Sequence, residues 1–375
     1  MMKVALISCG RSDYSIYLPL IKKLKADPFF NLDIIAFGTH VSQFYERTVN
    51  MFYKDGFDVA YELESLVLGD SPEAISSAMG LTTIKFSSIW ALEDYDMIIV
   101  LGDRYEMFSA IVASVPFNIP VAHLHGGETT EGAFDDMFRH SITAMSKLHF
   151  VSTTGHAKRV GQIIGKNEHI YHVGAPALDN LYDLELLSIE KFKEVWNIDL
   201  SKPTVLVTYH PETVASNKNV EYVRELCKAM ARLDKQFVIT MPNNDTMGTV
   251  IRTELLNFIG DNTEKYKVVE VLGAIGYYSC MKNCDFLLGN TSSGIIEAAS
   301  FNRYVINIGD RQKGRESGAN VIHVPAESNI IVETANNISS LPPYTDGNIY
   351  GNGDTCSKIL TIMKDYHKNE LEGKK

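Results

Sequence analysis

The sequence predicts an α/β protein made of two successive doubly wound parallel sheets. Three observations carry this reading. Short β-branched apolar runs alternate with helix-length amphipathic stretches; the pattern pauses after about residue 176 and resumes near 204; and nearly every apolar run ends in glycine or a polar residue. Strand–helix–strand order of this kind folds into parallel sheets with helices on both faces. At 375 residues the chain also exceeds the size at which a single core keeps growing, so two domains are expected from length alone.

The first-half strands are VALIS (4–8), LDIIAFG (32–38), DMIIVLGD (96–103) and PVAHLHG (120–126). Such near-continuous apolar runs belong to strands buried on both faces. Helical patterns fill the gaps, among them YSIYLPLIKKLKAD (14–27) and RYEMFSAIVASVPF (104–117). The second half repeats the scheme with TVLVTYH (204–210), QFVITMPN (236–243), CDFLLGN (284–290) and YVINIGD (304–310). The charged stretch LYDLELLSIEKFKEVWNI (181–198) reads as one helix, with the junction just before it, near Gly174 to Asp179. The expected domains are two Rossmann-like units, 1–176 and 177–354, with a C-terminal helix over 355–375 returning to the first.

Composition narrows the function. A formal net charge of -11 argues against a nucleic-acid groove or an anionic membrane surface, so any bound anion must be captured by a local basic pocket. The opening MMKVALISCG enters a strand directly, without the pattern of a signal peptide, and no run of 18 apolar residues occurs. A cytoplasmic protein is expected. The five cysteines, Cys9, Cys227, Cys280, Cys284 and Cys356, form no disulfide framework. Cys280 and Cys284 sit one helical turn apart without a second Cys/His pair, which suits packing rather than zinc.

In doubly wound sheets ligands sit beyond the carboxyl ends of the strands, so the residues there carry the chemistry. GNTSSGIIEAA (289–299) follows a strand and opens a helix. Ser292, Ser293 and the backbone N–H groups there form a phosphate cradle, with simple N-capping as the plainer alternative. Glu297, five residues on from Ser292, can accept ribose hydroxyls or stand as an ordinary helix residue. Arg311 and Arg315 follow the last strand and Arg11 and Arg104 follow strands of the first half. Guanidinium forks match diphosphate oxygens, although any one of them alone suits a surface ion pair. His210, stiffened by Pro211, and Asn243 are further partners for the same ligand. In HLHGGETTEGAFDD (123–136) and the residues after it, His125, Glu128, Asp135, Asp136, Arg139 and His140 join Asp103 as a proton-transfer set. Grouped carboxylates can hold separated pKa values, one acting as base and another as acid.

Taken in order, GRSDYS, GTH, GDRYE, HLHGG with DDMFRH, YHP, MPNND, GNTSSGIIE and GDRQKGRESGANVIHV resemble the UDP-N-acetylglucosamine 2-epimerase family, in its hydrolysing branch used in sialic-acid and nonulosonate synthesis. The stretches run from residue 10 to about 324. The resemblance implies a GT-B-like fold, two Rossmann-like domains facing across a cleft, and a nucleotide-sugar substrate with no metal or dinucleotide cofactor. Hydrolysing members eliminate the nucleoside diphosphate across C1 and C2 to a glycal, then add water to release a free sugar epimerised at C2. By position, Arg11, Ser15, His40, Arg104, Arg139, His140, Asn243, Ser292, Ser293, Glu297 and Arg311 would bind substrate. Asp103, His125, Glu128, Asp135, Asp136 and His210 would carry the catalysis. A homodimer or homotetramer is implied as well.

One departure from the pattern matters. Mammalian-type members have a glutamate where His125 stands, and the TTEGAFDD segment is one residue longer here. The base is thereby left open among Asp103, His125, Glu128 and the aspartates at 135 and 136, and the substrate between UDP-N-acetylglucosamine and a UDP- or GDP-linked 2,4-diacetamido-2,4,6-trideoxy sugar. Rival readings are a non-hydrolysing epimerase, a GT-B glycosyltransferase, a non-catalytic sugar-nucleotide sensor, and a metal hydrolase using His123, His125 and an aspartate, since His-x-His can chelate.

Overall fold

Each apolar run of the first half becomes an inner strand of one parallel sheet. Its strands are β1 Met2–Ser8, β2 Phe30–Phe37, β3 Tyr61–Leu63, β4 Met97–Leu101, β5 Val121–Leu124, β6 Leu148–Val151 and β7 Ile170–His172. A computed structural model describes residues 1–69, 71–129, 135–212, 218–241 and 248–373. A second parallel sheet holds β8 Thr204–Thr208, β9 Gln236–Thr240, β10 Tyr266–Val269, β11 Phe286–Gly289, β12 Tyr304–Ile308 and β13 Val321–Val324. The chain divides into two compact units, one built from the chain up to Tyr182 together with Tyr350 onward, the other from Asp183–Ile349.

The strand orders are β3-β2-β1-β4-β5-β6-β7 and β10-β9-β8-β11-β12-β13. Both run outward from a central pair and reverse direction there, between β1 and β4 in one unit and between β8 and β11 in the other. At such a switch point the loops part and leave a crevice for a ligand. β3, β6, β7, β10 and β13 escape the sequence pattern, β3 and β7 because three residues are too short to show periodicity.

Side chains along β1 show how a sheet buried on both faces is built. Met2, Val4 and Leu6 enter one core with Tyr17, Leu20, Ile21 and Leu24 of the helix Arg11–Ala26. Ala5 and Ile7 enter the opposite core with Phe86 and Trp90 of the helix Pro72–Leu92. The alternation is the period of two expected of a strand. The expected helix over 181–198 is instead two, Ala177–Asp183 and Ile189–Trp196. Ser188 starts the second by accepting a hydrogen bond from Lys191 N at 3.2 Å, an N-cap that interrupts the apparent continuity.

After the second unit the chain returns to the first. The helix Thr355–Gly373 sets Cys356, Ile359, Leu360, Met363 and Tyr366 into the core beside β1, at the three-to-four spacing of one helix face. Its first turn is held by the buried Asp179, whose carboxylate accepts from Thr355 N at 3.0 Å and Cys356 N at 2.8 Å. Gly174 lets the strands meet there, since a Cβ would lie 2.6 Å from Tyr350 O. Among the described residues no helix is long and apolar enough to cross a membrane.

The Asp179 cap gives a direct test. Asp179→Ala leaves two buried N–H groups unpaired and is expected to cost about 1–3 kcal/mol in urea denaturation. Hydrogen exchange should locate the loss in the helix Thr355–Gly373 rather than in the second unit.

Candidate active site

At the switch point of the first unit, the turn after β1 and the turn after β4 lie side by side. Asp13 folds back into the first turn, and its Oδ2 accepts from Cys9 N at 2.9 Å and Gly10 N at 3.1 Å. Burial pushes its carboxyl up, and Arg104 with these N–H groups opposes the rise. Arg104 is held as a fork on Glu106, with Nε 3.2 Å and Nη2 2.6 Å from the two carboxylate oxygens. Arg11, Ser12, Thr39, Tyr45, Arg104 and Tyr105 line a cavity of about 370 Å³. Arg11 and Ser15 are exposed.

Next along the same sheet edge lies the proton-transfer set. Gly102 N is bonded to Leu124 O and His125 N to Phe150 O, so the ends of β4, β5 and β6 are held in register. The buried Arg139, from the helix Asp135–Met145, ties them together. Its Nη2 donates to Asp103 Oδ2, its Nη1 donates to His125 O at 2.9 Å, and its Nε stands 3.8 Å from Asp136 Oδ1. Burial, and next the Asp103 charge, push the Asp135 carboxyl up; Arg104 and Arg139 oppose the rise. A carboxyl that keeps its proton longer thus stands near a carboxylate paired with a guanidinium, and unequal acids of this kind can divide donor and acceptor roles.

His125 sits at φ +63, in the left-handed region, and is followed by Gly126 and Gly127. A Cβ on Gly127 would meet His156 O at 2.5 Å, so this turn requires glycine. The His125 ring is anchored through Nδ1, 2.5 Å from Glu128 Oε1 and 3.1 Å from Ser152 Oγ. Ser152 Oγ also donates to Glu128 Oε1 at 2.8 Å. Burial alone would raise the Glu128 carboxyl, but His125 foremost, with Arg139 and His156 beyond, outweighs it and holds the group well below the usual carboxylate range. His140 Nε2 is buried without a hydrogen-bond partner among the described residues.

Two histidines of the first unit prove to be framework. His40 is fully buried, with Nε2 2.9 Å from Ser8 Oγ and Nδ1 2.9 Å from Thr48 Oγ1, and burial followed by Arg104 brings its pKa down to about 4. It lies beneath the turn with both ring nitrogens engaged, the place of a residue that supports the turn. His123 engages Gly102 O at 2.8 Å and Thr143 Oγ1 at 3.2 Å, and burial pushes it down to about 3. With both ring nitrogens taken it is no metal ligand, and the His-x-His chelate reading fails. Among the described residues no three His, Cys, Asp or Glu side chains cluster as a metal site. Cys280 and Cys284 are buried free thiols.

In the second unit the turn after β8 meets the turn after β11. His210 N donates to Asn290 Oδ1 at 2.7 Å and Asn290 Nδ2 donates to His210 O at 2.8 Å, a reciprocal pair that fixes the His210 backbone. Asn290 O in turn accepts from Arg311 Nη1 at 3.1 Å and Gln312 Nε2 at 2.9 Å, bringing the loop after β12 to the same place. The buried Glu212 strengthens that link by accepting from Asp310 N at 2.9 Å. Gly289 lies at φ +143, where a Cβ would collide with Thr208 O.

Thr291 caps the turn carrying Ser292 and Ser293. The helix that follows is only Ser292–Ile296, continued by the 3₁₀ turn Ala298–Phe301. Its macrodipole is smaller than the expected longer helix would supply, so an anion there would be held by local N–H groups, hydroxyls and arginine. Burial pushes the Glu297 carboxyl up to about 7 against the pull of the Ser293 hydroxyl and Arg315, and its Oε2 is buried without a hydrogen-bond partner among the described residues. Asn243 lies outside the described residues. Sequence reasoning missed Asp13, Glu106, Ser152, Glu212 and Asn290. Asp13, Glu106 and Asn290 lay inside quoted motifs without a distinguishing signal, Glu212 directly follows the YHP motif, and Ser152 follows the unrecognised β6.

Known proteins share both the sequence pattern and this architecture. The family model described as UDP-N-acetylglucosamine 2-epimerase matches residues 22–364. A hydrolysing UDP-N,N'-diacetylbacillosamine 2-epimerase of Legionella pneumophila is 32% identical over 362 residues, covering 96% of this chain and 95% of that one. A hydrolysing GDP/UDP-N,N'-diacetylbacillosamine 2-epimerase of Campylobacter jejuni is 34% identical over 323 residues, covering 85% and 83%. The solved UDP-GlcNAc 2-epimerase of Neisseria meningitidis, bound to UDP-GlcNAc, superposes with a TM-score of 0.76 at 16% identity over 97% of this chain and 100% of that one, which establishes the common GT-B-like fold. The chain therefore belongs to the UDP-N-acetylglucosamine 2-epimerase family, in its hydrolysing branch, and is an epimerase.

Proposed function

We propose that the protein hydrolyses a UDP-linked 2-acetamido sugar, releasing UDP and the free sugar inverted at C2. The observation that carries this reading is the set gathered by Arg139: Asp103 paired with a guanidinium, Asp135 raised beside it, and His125 on the adjoining turn. Inversion at C2 needs a proton taken from one face and another delivered to the opposite face, so a site with two unequal proton-transfer groups suits it. As the C2–H bond breaks, its electron pair forms the C1=C2 bond and the C1–O bond to the diphosphate leaves with its electrons. Water then adds oxygen at C1 while a proton returns to C2, and atoms balance overall.

In this reading Arg311, His210, Ser292 and Ser293 stabilise the charge that develops on the departing diphosphate. Glu297 accepts ribose hydroxyls. UDP-N-acetylglucosamine, yielding N-acetylmannosamine, is the first substrate to try. A second reading keeps the chemistry and changes the sugar to a UDP- or GDP-linked 2,4-diacetamido-2,4,6-trideoxy compound; the names carried by the Legionella and Campylobacter relatives favour it.

NMR of each nucleotide sugar incubated with the protein in D₂O tests the proposal. The expected result is UDP plus free sugar carrying deuterium at C2. Accumulation of an epimerised nucleotide sugar would instead show a non-hydrolysing reaction, and inertness toward all these substrates would overturn the reading. Asp103→Asn should lower kcat by about 10²- to 10⁴-fold with UDP affinity unchanged. Nucleotide binding should also be linked to pH. Glu297 is protonated below about 7 in the free protein, and ribose hydroxyls donate to the ionised form, so UDP affinity should rise with pH through that value. Calorimetry near pH 6 in buffers of different ionisation enthalpy should detect proton release on UDP binding, and Glu297→Gln should abolish it.

A further inference from the structure

We infer that Ser152 and Glu128 act together to hold His125 in a single tautomer, with Nε2 as the atom that takes the C2 proton of the substrate; Ser152 and Glu128 are thereby positioning residues. The inference rests on the proposed proton transfer at C2. It starts from three short contacts that close a triangle: Glu128 Oε1 to His125 Nδ1 at 2.5 Å, Ser152 Oγ to the same nitrogen at 3.1 Å, and Ser152 Oγ to Glu128 Oε1 at 2.8 Å. The serine hydroxyl has one proton. Given to the carboxylate, it leaves Ser152 only an oxygen lone pair to offer the ring.

An ionised carboxylate only accepts, so the nitrogen facing it must carry the hydrogen. The groups around the ring agree that Glu128 is ionised. Arg139, from the helix Asp135–Met145, and His156, from the helix Thr154–Ile164, both favour its charge, while His123 of β5 faces the ring itself. In the neutral ring Nδ1 is therefore the N–H and Nε2 the lone pair. Nε2 is buried and has no hydrogen-bond partner among the described residues. A buried ring nitrogen without a partner is costly, and a site that keeps one has reason to reserve it for chemistry.

The main chain supports the same assignment. His125 is held at φ +63, an uncommon conformation for a residue with a Cβ, by Arg139 on its carbonyl and by Phe150 O on its N–H. That backbone sets where the ring starts, and the Glu128–Ser152 pair sets how it is turned. The arrangement supplies through an imidazole the proton-accepting function that a carboxylate at position 125 would supply directly. When C2–H breaks, the proton goes to Nε2, the electron pair enters the C1=C2 bond, the C1–O bond breaks with its electrons leaving on the diphosphate, and the imidazolium is balanced by Glu128.

Two measurements test this, one of them independent of activity. ¹⁵N NMR of histidine-labelled protein at neutral pH should show the His125 ring protonated at Nδ1, and Glu128→Gln should disturb that state because an amide can donate to the ring. In kinetics, Glu128→Gln should lower kcat by about 10²- to 10⁴-fold. Ser152→Ala should lower kcat by about threefold to tenfold with KM unchanged and move the acidic limb of the kcat profile, while Ser152→Thr should restore both. A His125 ring protonated at Nε2 alone, or C2 deuterium exchange that survives His125→Asn, would overturn the inference. A protein showing the expected tautomer but no turnover of any nucleotide sugar would overturn instead the proposed function on which the catalytic role rests.

Discussion

The site of the first unit depends on one buried cation. Arg139 reaches Asp103 at the end of β4, the carbonyl of His125 at the end of β5, and the neighbourhood of Asp136 on its own helix. Burying a guanidinium is unfavourable unless its donors are met, so the carboxylate and carbonyl around it are required by the arginine as much as it is by them. With Phe150 O on its N–H, Arg139 on its carbonyl holds the His125 backbone in a left-handed conformation while its ring is turned by Glu128 and Ser152. The cation and the strained turn are one construction.

The second unit solves a similar problem with a neutral amide at its centre. Asn290 is fully buried and spends its side chain on the two backbone groups of His210, while its carbonyl receives Arg311 and Gln312. Three loops from three strands converge on one amide, with Glu212 as a second tie between two of them. The groups that would meet a nucleotide are therefore carried on backbone that is already ordered, so less conformational entropy is lost when one binds.

Much of this was legible in the chain, and what was not has physical causes. Long apolar strands such as VALIS and TVLVTYH announce themselves because both faces are buried; three-residue edge strands such as β3 and β7 do not. Strand-end motifs pointed to Asp103, His125 and Arg139 because polar residues there need a reason. They also pointed to His40, which shares the position but spends both nitrogens on Ser8 and Thr48. Only contacts distinguish a histidine that supports a turn from one that serves it. Ser152 shows the reverse limit, being brought beside Glu128 by the pairing of β5 with β6, a relation between strands that no local pattern records.

The return of the last helix to the first unit makes that unit discontinuous along the chain. Its core residues Ile359, Met363 and Tyr366 are made only after every residue of the second unit, so during synthesis one face of the first sheet is covered only in part, by the helix Arg11–Ala26. The unit that begins second can finish first. Closing the long loop between Asp179 and Thr355 costs entropy that an already folded insertion reduces, by shortening the span of free chain between them. The order of maturation would then run against the order of translation, and the first unit would be the last part to settle.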